Sequence, residues 1–160
     1  MGIDHAGADE QRRAAIGELE RELSLLFRRA RGLSERMATE IHPELDAAGY
    51  ALLIAILDLD PDGNGVRAVD LAHKTRLHKS TLSRSLGVLE SLGLLARVRD
   101  PHDARARLVT LTDQGRTAVQ QSRTGRSELM LQRLSEWDGA DLSRLAELLG
   151  RLSRALIVEP

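Results

Sequence analysis

VDLAHKTRLHKSTLSRSLGVLESLGLLARVRDPHDARARLVTLTDQG, residues Val69–Gly115, is the stretch that decides the fold. In its first half the apolar residues recur every three or four positions, which is typical of helices with one buried face. A break at Arg76–His78 separates two helices, about Val69–Lys74 and Lys79–Ser91, each too short to be stable alone. The pattern predicts a helix-turn-helix.

The second half of this stretch predicts a β-hairpin followed by another helix. Apolar and polar residues alternate along Leu95–Arg99 and again along Arg107–Leu111. Between them, Asp100-Pro101-His102-Asp103 has the composition of a turn, because Asp bonds its own backbone and Pro presets φ. Thr112 is the expected N-cap of the helix that follows.

These motifs, in this order, resemble the MarR (multiple-antibiotic-resistance regulator) family of winged-helix repressors. The hairpin motif is the most specific part, and a weaker match extends over roughly Ile16 to Leu156. The resemblance implies a mainly α fold with a small β-wing, in which long N- and C-terminal helices form a dimerisation region. It is carried by Leu71-Ala72, Ser80-Thr81-Leu82-Ser83-Arg84, Leu89-Glu90, Gly93-Leu94, Asp100-Pro101, Asp103, Arg105, Leu111-Thr112 and Gly115.

The resemblance implies that the second helix enters the major groove of double-stranded DNA and the wing a minor groove. Ser, Thr and Arg side chains can bond base edges there, although ordinary surface residues would fit the same positions. On the wing, Arg105 matches the minor-groove arginine and Asp103 the acid that orients it, and a purely structural Asp103–Arg105 ion pair stays open. The candidate DNA-binding residues are Lys79, Ser80, Thr81, Ser83, Arg84, Asp103, Arg105, Arg107 and Arg67.

The net charge of −1 conceals a basic segment. Residues 67–116 contain ten Lys or Arg against five Asp or Glu, whereas the remainder is acidic. Neutralising phosphates supplies much of the affinity of proteins for DNA, so this asymmetry favours a DNA-binding lobe. Aromatic residues make up only 2% of the chain, which argues against single-stranded DNA or RNA as the partner.

Long amphipathic helices flank this lobe. One is predicted over residues 9–41, after a frayed tail at residues 1–8, and ends at His42-Pro43. Asp46 should cap a shorter helix, about Ala47 to Leu57. Two more are predicted at about Asp113–Glu136 and Ala140–Leu156. We expect one MarR-like domain over 1–160, with a DNA-binding lobe at 46–112 and helices at 9–41 and 113–157 that form a homodimer.

The loop Asp58–Gly65 imitates a calcium-binding loop. Asp58, Asp60 and Asp62 match the first half of an EF-hand, but the twelfth position is Val69, where a bidentate Glu is needed. A solvated turn explains the same residues, so no metal or cofactor is assigned. A calcium-binding interaction protein is kept as a minor alternative.

Other classes of protein are disfavoured. The chain has no Cys, which excludes disulfides and thiol switches, and it has no apolar run of membrane-spanning length, so a cytoplasmic protein is expected. It contains neither G-x-S-x-G nor H-E-x-x-H, and its five His lack metal-ligand spacing, so no enzyme is expected.

The sequence therefore predicts a homodimeric transcriptional regulator. The expected operator is a near-palindrome with half-sites about 10 bp apart. The resemblance further implies a repressor that a small-molecule effector releases. A DNA-binding protein that needs no effector remains the main alternative.

Overall fold

A computed structural model describes residues 4–101, 103 and 106–156, with side chains from residue 7 onward. Over these ranges it is mainly α-helical, with one small sheet, as the sequence predicts. The elements are α1 (Asp4–Ile41), α2 (Ala47–Leu59), β1 (Val66–Arg67), α3 (Ala68–Thr75), α4 (Lys79–Ser91), β2 (Leu95–Arg99), β3 (Arg107–Leu111), α5 (Asp113–Arg133) and α6 (Gly139–Ala155).

The helix boundaries follow the local sequence signals, with one correction at the N-terminus. α1 ends at Ile41, before His42-Pro43, and the Asp46 carboxylate caps α2 by accepting from the Gly49 amide at 2.7 Å. The prediction of a frayed tail over residues 1–8 is wrong from Asp4 on, because α1 already begins there. This segment contains alanines and no proline, so nothing in it stops the helix from extending.

The three strands form one antiparallel sheet in the order β1-β3-β2. β2 and β3 pair along their whole length, from Leu95 opposite Leu111 to Arg99 opposite Arg107. This is the hairpin wing with the bounds that the alternation predicts. β1 pairs with the other edge of β3, so the segment that leads into α3 is joined to the wing by backbone hydrogen bonds.

The core lies where α2, α3, α4 and the sheet meet. α2 supplies the largest share, because nearly all sides of this helix are apolar. Each fully buried leucine contributes about 1.5–3 kcal/mol of transfer free energy. The largest side chains with less than 2% exposure are Leu52, Leu53, Ile56, Leu71, Leu86, Leu89, Leu94, Val109 and Val119.

The chain divides into two compact units, the first ending at Ser122 and the second starting at Arg123. The first unit contains the helix-turn-helix and the sheet. The second contains the later part of α5 and all of α6, a helix in which no residue is buried. Among the described residues, no helix is both long enough and apolar enough to cross a membrane.

Candidate nucleic-acid interface

α4 has one apolar face and one polar face. Leu82, Leu86 and Leu89 are at most 2% exposed and anchor the helix to the core. At 3.6 residues per turn, Ser80 and Arg84 then lie on the opposite side. All five residues predicted to contact DNA from this helix, Lys79, Ser80, Thr81, Ser83 and Arg84, are solvent-exposed.

The turn between α3 and α4 holds this face outward. Arg76 has a left-handed backbone with φ of 55°, the only such non-glycine residue among those described, and it ends α3. Leu77 then packs against the core, and His78, the N-cap residue just before α4, has an extended backbone. The His78 side chain makes no capping hydrogen bond, which leaves the first amides of α4 without a side-chain acceptor from this position.

The wing carries two arginines side by side. Arg99 and Arg107 are directly opposite in the β2–β3 ladder, and both are exposed. Like charges at such positions repel, which disfavours the hairpin unless an anion lies nearby. The sequence predicts Arg107 as a DNA contact. The register of the two strands adds that Arg99 lies directly opposite it.

The tip of the wing is described only in part. Asp103 is exposed, and its backbone carbonyl accepts from the amide of Ala106 at 2.9 Å. Arg105, the predicted minor-groove contact, lies outside the described residues, as do His102 and Ala104. The assignments of Asp103 and Arg105 therefore stay predictions.

Arg67 has a protein partner that the sequence did not reveal. Its Nε and Nη2 donate to the same oxygen of Asp100, at 3.1 and 2.8 Å. The Asp100 side chain is 2% exposed, whereas that of Arg67 is 54% exposed. The two residues are 33 positions apart, so only the β1–β3 pairing, which is non-local, could have indicated their contact.

In the loop after α2, the Asp60 carboxylate binds two backbone amides of the same loop. One oxygen of buried Asp60 accepts from the Asn64 amide at 2.6 Å, and the other from the Gly65 amide at 2.9 Å. Thr110 of β3 donates to the second oxygen at 3.2 Å. Arg116 of α5 donates to the carbonyl of Pro61 at 2.7 Å. These contacts give Asp60 a structural role that needs no calcium.

Within the described residues, no three His, Cys, Asp or Glu side chains are grouped so that they would hold a metal ion. The Asp60 oxygens, which an EF-hand would direct at calcium, accept amide hydrogens here. The structure therefore does not favour the calcium-binding alternative.

Comparison with known proteins identifies the family. Residues 45–106, which include α2, the helix-turn-helix and most of the wing, match the family model described as the MarR family. The chain is 32% identical over 139 residues to the uncharacterized HTH-type transcriptional regulator YxaD of Bacillus subtilis (strain 168), an alignment that covers 87% of this chain and 93% of that protein. This chain belongs to the MarR family. It is a winged-helix transcriptional regulator.

Solved MarR-type structures have the same fold. A crystal structure of a MarR family transcription regulator superposes with a TM-score of 0.78 at 20% identity, covering 92% of this chain and 93% of the other. Streptococcus pneumoniae FabT, solved in complex with DNA, superposes with a TM-score of 0.75 at 16% identity over 88% of this chain and 96% of its own. At these identities the likeness shows the fold alone.

Proposed function

We propose that this MarR-family chain is a homodimeric repressor that binds a near-palindromic operator in double-stranded DNA and is released by a small-molecule effector. The observation that carries DNA binding is the polar outward face of α4, with Ser80 and Arg84 opposite the buried leucines of the same helix. A helix anchored in this way can enter a major groove without disturbing the core.

The wing supports the same proposal. Arg99 and Arg107 place two positive charges opposite each other on the hairpin. A phosphate between them would attract both guanidinium groups and so offset their repulsion. FabT, which has the same fold, was solved with DNA bound. We assign Lys79, Ser80, Thr81, Ser83 and Arg84 to the major groove, Asp103 and Arg105 to the wing contact, and Arg107 and Arg67 to phosphates.

The homodimer is supported by uncovered apolar surface on the flanking helices. Leu145, Leu148 and Leu149 of α6 are 39–43% exposed, and Phe27 of α1 is 64% exposed. The three leucines share one face of α6, and an exposed apolar patch on a helix is typical of an interaction surface in soluble proteins. We therefore assign residues 9–41 and 113–157 to dimerisation and 46–112 to DNA binding, within one domain.

Repression, and release of the repressor from DNA by an effector, are the most detailed part of the proposal. An effector that binds one dimer geometry better than the other would shift the population of dimers away from the form that fits DNA. A hundredfold loss of operator affinity needs a coupling free energy of about 2.7 kcal/mol, within the usual range for such linkage. A metabolite library screened for loss of operator binding would test this, and an effector-independent protein would yield no hit.

The test of DNA binding begins with selection from a pool of random duplexes, because the operator is unknown. We expect a near-palindrome with half-sites about 10 bp apart to be enriched. Fluorescence anisotropy on that duplex and on a scrambled one then compares the wild type with Arg84→Ala and Arg105→Ala. Loss of a base-contacting arginine should weaken binding by about 1–3 kcal/mol, roughly 5- to 150-fold.

Arg151→Ala is the matched control, because it removes the same charge from an exposed position on α6, outside the proposed DNA-binding lobe and off the leucine face of that helix. Its affinity for the selected duplex should equal that of the wild type. Failure to enrich any sequence, or equal losses in Arg84→Ala and Arg151→Ala, would contradict the proposed interface.

A further inference from the structure

The Arg67–Asp100 ion pair connects two parts of the DNA-binding lobe. Arg67 is the last residue of β1 and the N-cap of α3, so it stands where the helix-turn-helix begins. Asp100 directly follows β2, and its amide donates to the carbonyl of Ala106 at 3.3 Å, which closes the base of the wing turn. The pair thus joins the start of the helix-turn-helix to the base of the wing.

The Arg67 side chain does not serve the helix that it begins. An N-cap residue usually accepts a hydrogen bond from the first turn of its helix, and guanidinium has no acceptor. α3 accordingly lacks a side-chain cap from Arg67. The side chain instead reaches past β3, which lies between β1 and β2, to the turn beyond β2.

The surroundings of the pair make it important for the position of the wing. A cavity of about 450 Å³ lies beside it, lined by residues of the α2–β1 loop, β1, α3 and the wing base, including Asn64, Asp70 and Leu108. At this place the wing base is attached to β1 by the β1–β3 backbone pairing and by the ion pair. Two charge-assisted hydrogen bonds to a carboxylate that is 2% exposed span the edge of the cavity.

We propose that Arg67 and Asp100 are positioning residues, which tether the wing to the start of the helix-turn-helix and set where the wing meets DNA. This inference rests on the proposed DNA-binding function and replaces the phosphate contact assigned to Arg67 above with a positioning role. The arginine acts mainly through Asp100, and its charge is already balanced by that carboxylate before DNA arrives.

The sign of one substitution distinguishes the tether from simple electrostatics. Asp100→Asn removes a negative charge from a DNA-binding lobe, so electrostatics alone would leave binding unchanged or make it tighter. A tether predicts weaker binding, because the amide cannot form the ion pair and the wing base is released. We expect about a 10-fold loss on the selected duplex, comparable to other broken positioning contacts.

Glu90→Gln is the matched control. Glu90 pairs with Arg97 on the same lobe at 2.9 Å, and both side chains are about 40% exposed. This substitution also removes one negative charge and breaks one ion pair, yet such exposed pairs contribute little. Its affinity should equal or exceed that of the wild type. A loss equal to that of Asp100→Asn would overturn the tether.

Arg67→Gln completes a double-mutant cycle and distinguishes positioning from a direct phosphate contact. If the pair is a tether, Arg67→Gln and Asp100→Asn lower the affinity for the selected duplex by similar factors. The double variant then binds as tightly as whichever single variant binds less tightly. For a phosphate contact, Arg67→Gln alone lowers the slope of log affinity against log salt by about 0.9, and the double variant loses more than either single variant. That second result would overturn the proposal.

A measurement without DNA keeps the test independent of the operator. Hydrogen exchange at the Asp100 amide should accelerate in Arg67→Gln, which replaces a half-exposed side chain. Exchange in α2 should stay unchanged, and this also checks that the variant is folded. Unchanged exchange at Asp100 would overturn the tether. If the wild type itself binds no duplex specifically, the proposed function fails, whereas specific wild-type binding that Asp100→Asn leaves intact refutes only the tether.

Discussion

α4 and α6 carry the same kind of leucine pattern but differ in what covers it. Leu82, Leu86 and Leu89 of α4 are at most 2% exposed, because α2, α3 and the sheet pack around them. Leu145, Leu148 and Leu149 of α6 are 39–43% exposed. The leucine spacing predicts both helices equally well, yet only the structure shows that the α4 leucines are buried in the core of the first unit, whereas those of α6 are exposed.

The difference assigns different tasks to the two helices. In α4 the leucines are buried in the core, so the polar face is the one that a partner can contact. DNA is the partner that we propose. In α6 the apolar face is available, and the partner that we propose is a second copy of the chain. Three experiments test this contrast, starting with the largest expected effect.

Leu86→Ala and Leu148→Ala delete the same atoms from the two stripes. At Leu86 we expect a loss of about 2–5 kcal/mol in the free energy of unfolding, independent of protein concentration, because a cavity is left in the core. At Leu148 the loss should be smaller and should depend on concentration, because it acts through the proposed dimer. Urea denaturation at several concentrations measures both, and equal concentration-independent losses would contradict the contrast.

Leu145→Glu combined with Leu149→Glu should dissociate the proposed dimer. Each glutamate would have to lose its hydration in the interface, and two-fold symmetry doubles the cost. We expect the dimer dissociation constant to rise at least about 100-fold, or roughly 2.7 kcal/mol, in sedimentation equilibrium. Ser143→Glu, on the polar side of the same helix, should leave it unchanged; a monomeric wild type would refute the assignment of α6.

Gly87→Ala tests how open the outward face of α4 is. Beyond its chain neighbours and the adjacent backbone of α4, a Cβ at Gly87 would meet no atom of the described residues within 4 Å. Alanine should therefore stabilise the helix by about 1 kcal/mol through its higher propensity. Gly115→Ala is the contrasting control, because its Cβ would collide with the Leu94 carbonyl oxygen. Thermal unfolding should show a higher Tm for the first variant and a lower one for the second, and a lower Tm for both would be inconsistent with an open face.

The helix-turn-helix and the wing could be predicted from sequence because their signals are local. The alternation in Leu95–Arg99 and Arg107–Leu111 gave both strands with their observed bounds, and Thr112 caps α5 as expected by accepting from the Gly115 amide at 3.0 Å. The exposed polar face of α4 likewise follows from the spacing of its leucines.

The remaining features depend on contacts between distant residues, which no local pattern encodes. The Arg67–Asp100 pair depends on the pairing of β1 with β3, which joins segments far apart in the sequence. The sequence left two interpretations of the acidic loop after α2, a solvated turn and a calcium-binding loop, for the same reason. One hydrogen-bond donor to Asp60 is Thr110, which lies 50 positions away in the sequence. The sequence places the end of α5 near Glu136, whereas the helix ends at Arg133. The apolar pattern continues to Leu134 and therefore does not mark the residue at which the helix ends.

The buried Asp60 cluster constrains how this sequence can diverge. Asp60 holds the Asn64 and Gly65 amides and accepts from Thr110, while Gly65 has φ of 93° and leaves no room for a Cβ against Leu108. A relative that replaces Asp60 would leave these amides without their acceptor and would release the requirement for glycine. Among homologues, positions 60, 65 and 110 should therefore change together or not at all.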